Sequence, residues 1–140
     1  MPVNKALASR WPIIQAPMAG SQDSRLALAV CAAGAVGSIP AAMLGAEALA
    51  AELSRMQAAS GPWNVNFFCH QPAAANTAVE RGWRSALAPF YRELDLDSSQ
   101  IAAGPGRQPF SAELLAVLAT NPPPLVSFHF GLPDSALLAG

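Results

Sequence analysis

The feature that most constrains the fold of this chain is a regular alternation of short apolar runs with longer, alanine-rich stretches of helical periodicity. The apolar runs are residues 13–18, 35–40, 63–68 and 125–131. Strands that alternate with helices in this way form a parallel sheet with right-handed crossover connections. The pattern therefore predicts an α/β fold with about four parallel strands and covering helices.

Capping and turn residues mark where the helical stretches begin and end. We expect helices that start near Ser24, Gly45, Ala74, Ala112 and Pro133. Asp23 or Ser24 can cap the first of them, and Gly34 suits its end. The third helix is expected to break at Pro89, because an internal proline removes a helical hydrogen bond.

Chain length and composition suggest that this is part of a larger fold. A complete (β/α)₈ barrel needs about 250 residues, whereas this chain has 140, of which 12% are charged. Soluble domains usually carry about 25% charged residues. We therefore expect the truncated N-terminal half of a TIM barrel, as a single partial domain over residues 1–140. A small doubly wound ligand-binding domain is the alternative.

Several classes of function are disfavoured by the composition. The net charge is −1 and the basic residues are scattered, so nucleic acid is not an expected partner. No apolar run reaches the roughly 20 residues of a membrane span or resembles a secretory signal, and we expect a cytoplasmic protein. Cys31 and Cys69 lack metal-ligand spacing, so no metal is expected and both are interpreted as free thiols. His70 is interpreted as a polar loop residue.

Polar side chains converge near the ends of the predicted strands. Asn64 and Asn66 share one face of the third strand, and Ser127 and His129 share one face of the fourth. Gln15 is expected at the corresponding position of the first. Parallel α/β folds bind ligands at the carboxyl ends of their strands, so a small-molecule site is predicted there. Buried histidines and asparagines are more often structural, and that alternative stays open.

Four segments resemble one known family. They are "PIIQAPMAG", "CAAGAVGSIP", "WNVNFF" and "LVSFHFG", and the similarity extends from Pro12 to Pro133. Together they resemble the nitronate monooxygenases, formerly grouped as 2-nitropropane dioxygenases. Flavin-dependent enoyl-thioester reductases of fatty-acid synthesis have a similar opening segment and remain an alternative.

The resemblance implies a TIM barrel that binds FMN without covalent attachment. It places Ala16, Pro17 and Met18 beside the flavin ring and makes Asn66 a flavin contact. It makes His129 a candidate catalytic residue near the substrate. The implied reaction is the oxidation of an alkyl nitronate by flavin and molecular oxygen.

Parts of the family pattern have no counterpart in the 140 residues. The Gly-Gly-His segment that carries the family's usual catalytic histidine is one of them, and the phosphate-binding loops of the second half of the barrel are another. The resemblance therefore implies an incomplete site, with the missing C-terminal half or a second copy of the chain as partner. A catalytically inactive partial barrel is the alternative.

Overall fold

The computed structural model describes residues 7–72, 74, 76–100 and 107–139. The chain divides into two compact units, one formed by Met1–His70 with Arg107–Gly140 and the other by Gln71–Gly106. The expectation of one partial domain over residues 1–140 stays a prediction. The beginning of the N-terminal segment lies outside the described residues.

The strands and helices occur in the order that the sequence pattern predicts. They are α1 (Ser24–Ala32), β1 (Gly37–Pro40), α2 (Ala46–Met56), β2 (Trp63–Phe68), α3 (Thr77–Glu93), α4 (Ala112–Thr120), β3 (Leu125–His129) and α5 (Ser135–Leu138). None of these helices is both long enough and apolar enough to cross a bilayer. Only α3 belongs to the second unit.

The first unit contains a three-stranded sheet in the order β1-β2-β3, and both pairings are parallel. The register places Asn66 opposite Pro40 on one side and Ser127 on the other. This arrangement confirms the α/β fold with a parallel sheet. It also brings the carboxyl ends of β2 and β3 to the same edge.

The predicted first strand, residues 13–18, is wrong as a full strand. The structure has only an isolated parallel bridge between Ile14 and Val36. The N–H of Gln15 donates to the Val36 carbonyl over 2.9 Å, and the Val36 N–H makes a second bond of 3.0 Å. The pairing ends there for a physical reason: Pro17 has no N–H with which to continue the ladder.

The hydrophobic core lies between one face of the sheet and the helices of the first unit. Ile39, Val65 and Phe67 point into it from the strands, and the three apolar residues of the α2 stripe are fully buried: Leu49, Leu53 and Met56. Removing these side chains from water is the main favourable contribution to folding. The opposite face of the sheet carries the polar side chains.

Small residues let α1 pack closely against β1. Ala27 and Cys31 are the buried apolar residues of α1, and Asp23 caps the helix by accepting a hydrogen bond from the N–H of Arg25. Gly34, with φ of 91°, follows the C-cap as predicted. Cys31 is therefore part of the hydrophobic core.

In the second unit, α3 runs without a break through Pro89, so the predicted interruption is wrong. Pro89 lacks the N–H that would bond the carbonyl of Ser85, and its ring crowds the same carbonyl. Ser85 is exposed and α3 buries no residue, so water can bond the freed carbonyl. The helix begins after Asn76, whose Oδ1 accepts from two backbone N–H groups at 3.1 Å.

Candidate functional site

A ladder of neutral polar side chains crosses the three strands on the face away from the core. The Asn64 amide nitrogen donates to Ser127 Oγ over 2.9 Å and lies 3.3 Å from Ser38 Oγ. Asn64 and Ser38 are both buried. Buried amides need such partners, because an unpaired polar group in the interior costs about 1–3 kcal/mol.

The ladder continues toward the carboxyl ends of the strands. The Asn66 amide nitrogen donates to Ser127 Oγ over 2.8 Å and lies 3.1 Å from Nδ1 of His129. An amide nitrogen only donates, so Nδ1 of His129 is the acceptor and the proton of the neutral ring lies on Nε2. Asn66 is buried and His129 is exposed. Asn66 of β2 and His129 of β3, which the sequence predicts to converge, are therefore in contact.

A cavity of about 240 Å³ adjoins this ladder. It brings Pro17 together with Asn66, Ser127 and His129, and an apolar wall completes it: Leu7, Ile14, Val36, Leu125 and Val126. Asn64 also contributes to the lining. Of the three consecutive residues that the resemblance places beside a flavin ring, Pro17 is therefore the one that reaches this cavity.

Ala16 and Met18 flank Pro17 but do not line the cavity. Both side chains are exposed. The Met18 carbonyl accepts a hydrogen bond of 3.0 Å from the N–H of Ser21, so the chain turns immediately after this segment. Their proposed role beside a flavin ring stays a prediction.

Gln15 does not join Asn66 and His129, so the prediction of three corresponding positions is wrong. The bridge at Ile14 leaves Gln15 near the level of Gly37, whereas Asn66 pairs with Pro40 farther along the sheet. The Gln15 side chain instead accepts from the N–H of Ser38 over 3.2 Å and bonds Gln22. It ties the turn before α1 to β1.

The N-terminus of α1 is already occupied by carboxylates. The Ser24 N–H donates to Oε2 of Glu52 over 2.7 Å, and the Arg25 N–H donates to Asp23 over 3.0 Å. The backbone hydrogen bond from Arg25 lowers the pKa of Asp23, so this carboxyl stays ionised at neutral pH. A phosphate at this helix end would meet two negative charges.

A second cluster, which the sequence pattern does not predict, follows the ends of β2 and β3. Phe68, His70, Arg107 and Phe130 line one open cavity. The sequence pattern predicts only a polar loop residue at His70 and no role for Arg107. The available signal was the alternation of β2, which places Asn64, Asn66 and Phe68 on one side; His70 follows two residues after the strand ends.

Both cysteines are free thiols, as predicted. Burial raises the pKa of Cys31 and also that of Cys69, so neither is an activated nucleophile. In residues 7–72, 74, 76–100 and 107–139, no group of three His, Cys, Asp or Glu side chains is placed to hold a metal ion.

Solved structures define the class of fold. The chain is similar to nitroalkane oxidase from Streptomyces ansochromogenes, with 32% identity and a TM-score of 0.79 over 99% of this chain and 39% of that one. It also matches FabK from Thermotoga maritima with a TM-score of 0.61, over 98% of this chain and 33% of that one. The identity to FabK is 20%, which supports the fold alone. The chain is thus an N-terminal portion of a TIM-barrel protein.

Sequence comparison then identifies the family. The family model for nitronate monooxygenase matches residues 2–139. The nitronate monooxygenase of Paraburkholderia phytofirmans is 40% identical over 91% of this chain and 36% of its own length. That of Pseudomonas aeruginosa is 37% identical over 92% and 37%, respectively. The chain belongs to the nitronate monooxygenase family, and it spans a little over a third of the length of these relatives.

Proposed function

We propose that this chain forms the flavin-ring side of an FMN-dependent enzyme that oxidises alkyl nitronates with molecular oxygen. The observation that carries the proposal is the cavity in which Pro17, Asn66 and His129 meet, in a chain of the nitronate monooxygenase family. That family is a family of flavoenzymes. A cytoplasmic location agrees with this chemistry and is part of the proposal.

The donor set of this cavity suits a flavin ring. An isoalloxazine has flat apolar faces and a polar edge, and the cavity offers an apolar wall beside neutral hydrogen-bonding groups. None of the described residues that line it is a lysine or an arginine. The cavity therefore fits the neutral ring and not the phosphate. Ala16 and Met18 are proposed to complete the apolar contact from the exposed turn beside Pro17.

Asn66 and His129 have distinct roles in this proposal. Ser127 and His129 hold the amide nitrogen of Asn66, so its Oδ1 is the atom that can accept from an N–H of the ring. The Nε2–H of His129 is a donor that can stabilise an oxygen of the nitronate anion. When bound, the flavin supplies the electron transfer between nitronate and oxygen. The protein supplies position and hydrogen bonds.

The remaining part of the active site is proposed to come from the complementary part of the barrel. The resemblance assigns the family's usual catalytic histidine to that part. We therefore propose the C-terminal portion of the barrel as the partner, with a second copy of this chain as the alternative. The substrates are a nitronate, or its parent nitroalkane, and oxygen.

A chimera tests the proposed function. Residues 2–139 would replace the matching portion of the Pseudomonas aeruginosa relative, which supplies the rest of the barrel. We expect a yellow protein that retains FMN and consumes oxygen with propyl-2-nitronate. A folded but colourless chimera would overturn the proposal. It would favour an inactive partial barrel or a small domain that binds a different ligand.

Within this chimera, Asn66→Ala is expected to weaken FMN binding by about two- to twelvefold, because one hydrogen bond is worth about 0.5–1.5 kcal/mol. His129→Ala is expected to lower the turnover of nitronate more than the flavin content. Flavin absorbance after gel filtration and oxygen consumption measure the two effects separately.

The matched control is Asn121→Ala, a residue at the C-cap of α4 and therefore ahead of β3. It should leave both flavin content and turnover unchanged. Unchanged flavin content in Asn66→Ala would remove Asn66 from the site. Equal loss of flavin and turnover in His129→Ala would make His129 a structural residue.

A further inference from the structure

A second cavity, open and of about 570 Å³, lies beyond the carboxyl ends of β2 and β3. Its lining consists of Phe68, His70, Arg107 and Phe130. None of these four residues lines the cavity around Pro17 and Asn66. The second cavity is thus formed by different side chains at the edge of the sheet where parallel folds bind ligands.

Three rings of the lining stand nearly perpendicular to one another. The centroids of Phe68 and Phe130 are 4.9 Å apart, with their planes at 81°. His70 lies 6.2 Å from Phe68 at 77° and 6.4 Å from Phe130 at 85°. Such edge-to-face contacts hold the rings in a defined box, and aromatic edges carry partial positive charge.

Phe130 is held in this box at an energetic cost. Its φ is 65°, a left-handed conformation that is an outlier for a bulky residue. Its side chain is also 66% exposed, although a phenylalanine gains most when it is buried. A strained backbone that presents an aromatic ring to an open cavity indicates a binding role.

Arg107 brings a positive charge to the same cavity. The chain after it is anchored to β2, because Phe68 and Pro109 form a parallel bridge and the Phe110 N–H donates to the Phe68 carbonyl over 2.7 Å. No aspartate or glutamate is among the described lining residues. Within the lining, no carboxylate therefore competes with a ligand for the guanidinium of Arg107. The planar guanidinium can donate two parallel hydrogen bonds to a planar oxyanion.

His70 adds a directed donor. Its Nδ1 is buried and has no hydrogen-bond partner among the described residues. A neutral imidazole carries its proton on one of its two nitrogens, and we assign it to Nε2, which leaves the buried Nδ1 without a proton. His70 then offers Nε2–H as the hydrogen-bond donor of this ring.

We propose that this cavity binds the planar oxyanion group, carboxylate or nitronate, of a small organic anion. Arg107 pairs with two oxygens of the anion, the His70 Nε2–H donates to one of them, and the rings of Phe68 and Phe130 enclose its apolar body. The existence of the site does not depend on flavin. Its identification as a substrate subsite rests on the proposed function.

Titration of the purified 140-residue chain with benzoate tests the site, with calorimetry and the ring resonances of His70 as readouts. Benzamide is the neutral isostere, and we expect it to bind at least tenfold more weakly than benzoate. Arg107→Gln should weaken benzoate binding about tenfold or more, since it removes a charge-assisted pair. Arg107→Lys should recover only part of the affinity, because lysine keeps the charge without the fork.

Further variants distinguish binding at this site from a general effect of net charge or of side-chain loss. His70→Gln keeps a donor near the position of Nε2 and should bind benzoate better than His70→Ala. Arg25→Gln removes an equal charge from an exposed residue of α1 that pairs with the N-cap residue Asp23. This variant should bind benzoate as tightly as the original chain does. Far-UV circular dichroism shows that each variant is folded.

Equal binding of benzamide and benzoate would overturn the proposal, as would equal losses in Arg25→Gln and Arg107→Gln. Displacement of benzoate by propyl-2-nitronate would identify the substrate as the ligand, and failure to displace it would identify a separate carboxylate. A colourless chimera whose chain still binds benzoate would refute the proposed function alone. A yellow, active chimera without benzoate binding would refute this site alone.

Discussion

Gly37→Ala is expected to destabilise the chain by about 3 kcal/mol or more, a large fraction of the roughly 5–15 kcal/mol that stabilises an ordinary domain. A Cβ at Gly37 would lie 2.3 Å from the carbonyl oxygen of Ala27, and 2.8 Å from the carbonyl carbon. These are backbone atoms of α1, so no side-chain rotation can relieve the clash. The helix would have to move away from β1. Urea denaturation followed by circular dichroism measures the effect.

The matched control is Gly82→Ala, the same change inside α3. Apart from its chain neighbours and the backbone of α3 itself, no atom of the described residues lies within 4 Å of a Cβ at Gly82. Because glycine is a poor helix former, this substitution should leave stability unchanged or raise it by about 0.5–1 kcal/mol. Equal urea midpoints for Gly37→Ala and the original chain would show that α1 and β1 do not pack as closely as described.

Phe67→Ala is expected to cost about 3–5 kcal/mol, the usual loss when a buried phenylalanine is truncated. Phe67 is 1% exposed in β2. Its ring contacts Phe110 with a centroid distance of 4.8 Å and Phe128 at 6.3 Å. The alanine would leave a cavity at the centre of the core, since strands on a sheet cannot close in upon it. The unfolding free energy from denaturant titration measures the loss.

Phe90→Ala is the control for this truncation. Phe90 lies in α3 and is 58% exposed, so the change should cost less than about 1 kcal/mol. A loss in Phe67→Ala no larger than that of the control would contradict the core described here. Tryptophan fluorescence can follow both variants, since Trp63 is buried beside this core.

Residue pattern was enough to predict most of the sheet. The bounds of β2 match the predicted run, and the α2 stripe of Leu49, Leu53 and Met56 is buried as its spacing indicated. These features depend on local periodicity, which sequence reports directly. The prediction of a full first strand was wrong because strand pairing needs an N–H donor at each hydrogen-bonded position. Pro17 has no N–H to donate.

The candidate site was predictable in part. The alternation of β2 and β3 placed Asn66 and His129 on one face, and the parallel register brings their side chains to 3.1 Å. The sequence predicts Gln15 in the same group because the order of the strands does not reveal the register between them. The register of the Ile14 bridge excludes it.

The aromatic cavity was not predictable. It joins side chains from β2, from the turn after β3 and from the segment before α4, and Arg107 is 39 positions away from Phe68 in the chain. A distance in space between such residues follows from strand pairing, which no local pattern encodes. The left-handed conformation of Phe130 cannot be predicted from the sequence either, because a phenylalanine does not favour a positive φ.

The sequence by itself determined the order of strands and helices, the face on which each strand carries its polar groups, and the family resemblance. Periodicity and residue type carry that information, since they act within a few residues along the chain. Only the tertiary structure decided which polar groups meet. Register between parallel strands is a long-range quantity, and it joined Pro17, Asn66 and His129 while it excluded Gln15. The bridge between Phe68 and Pro109 in turn anchors the chain next to Arg107, which lines the same cavity as Phe130.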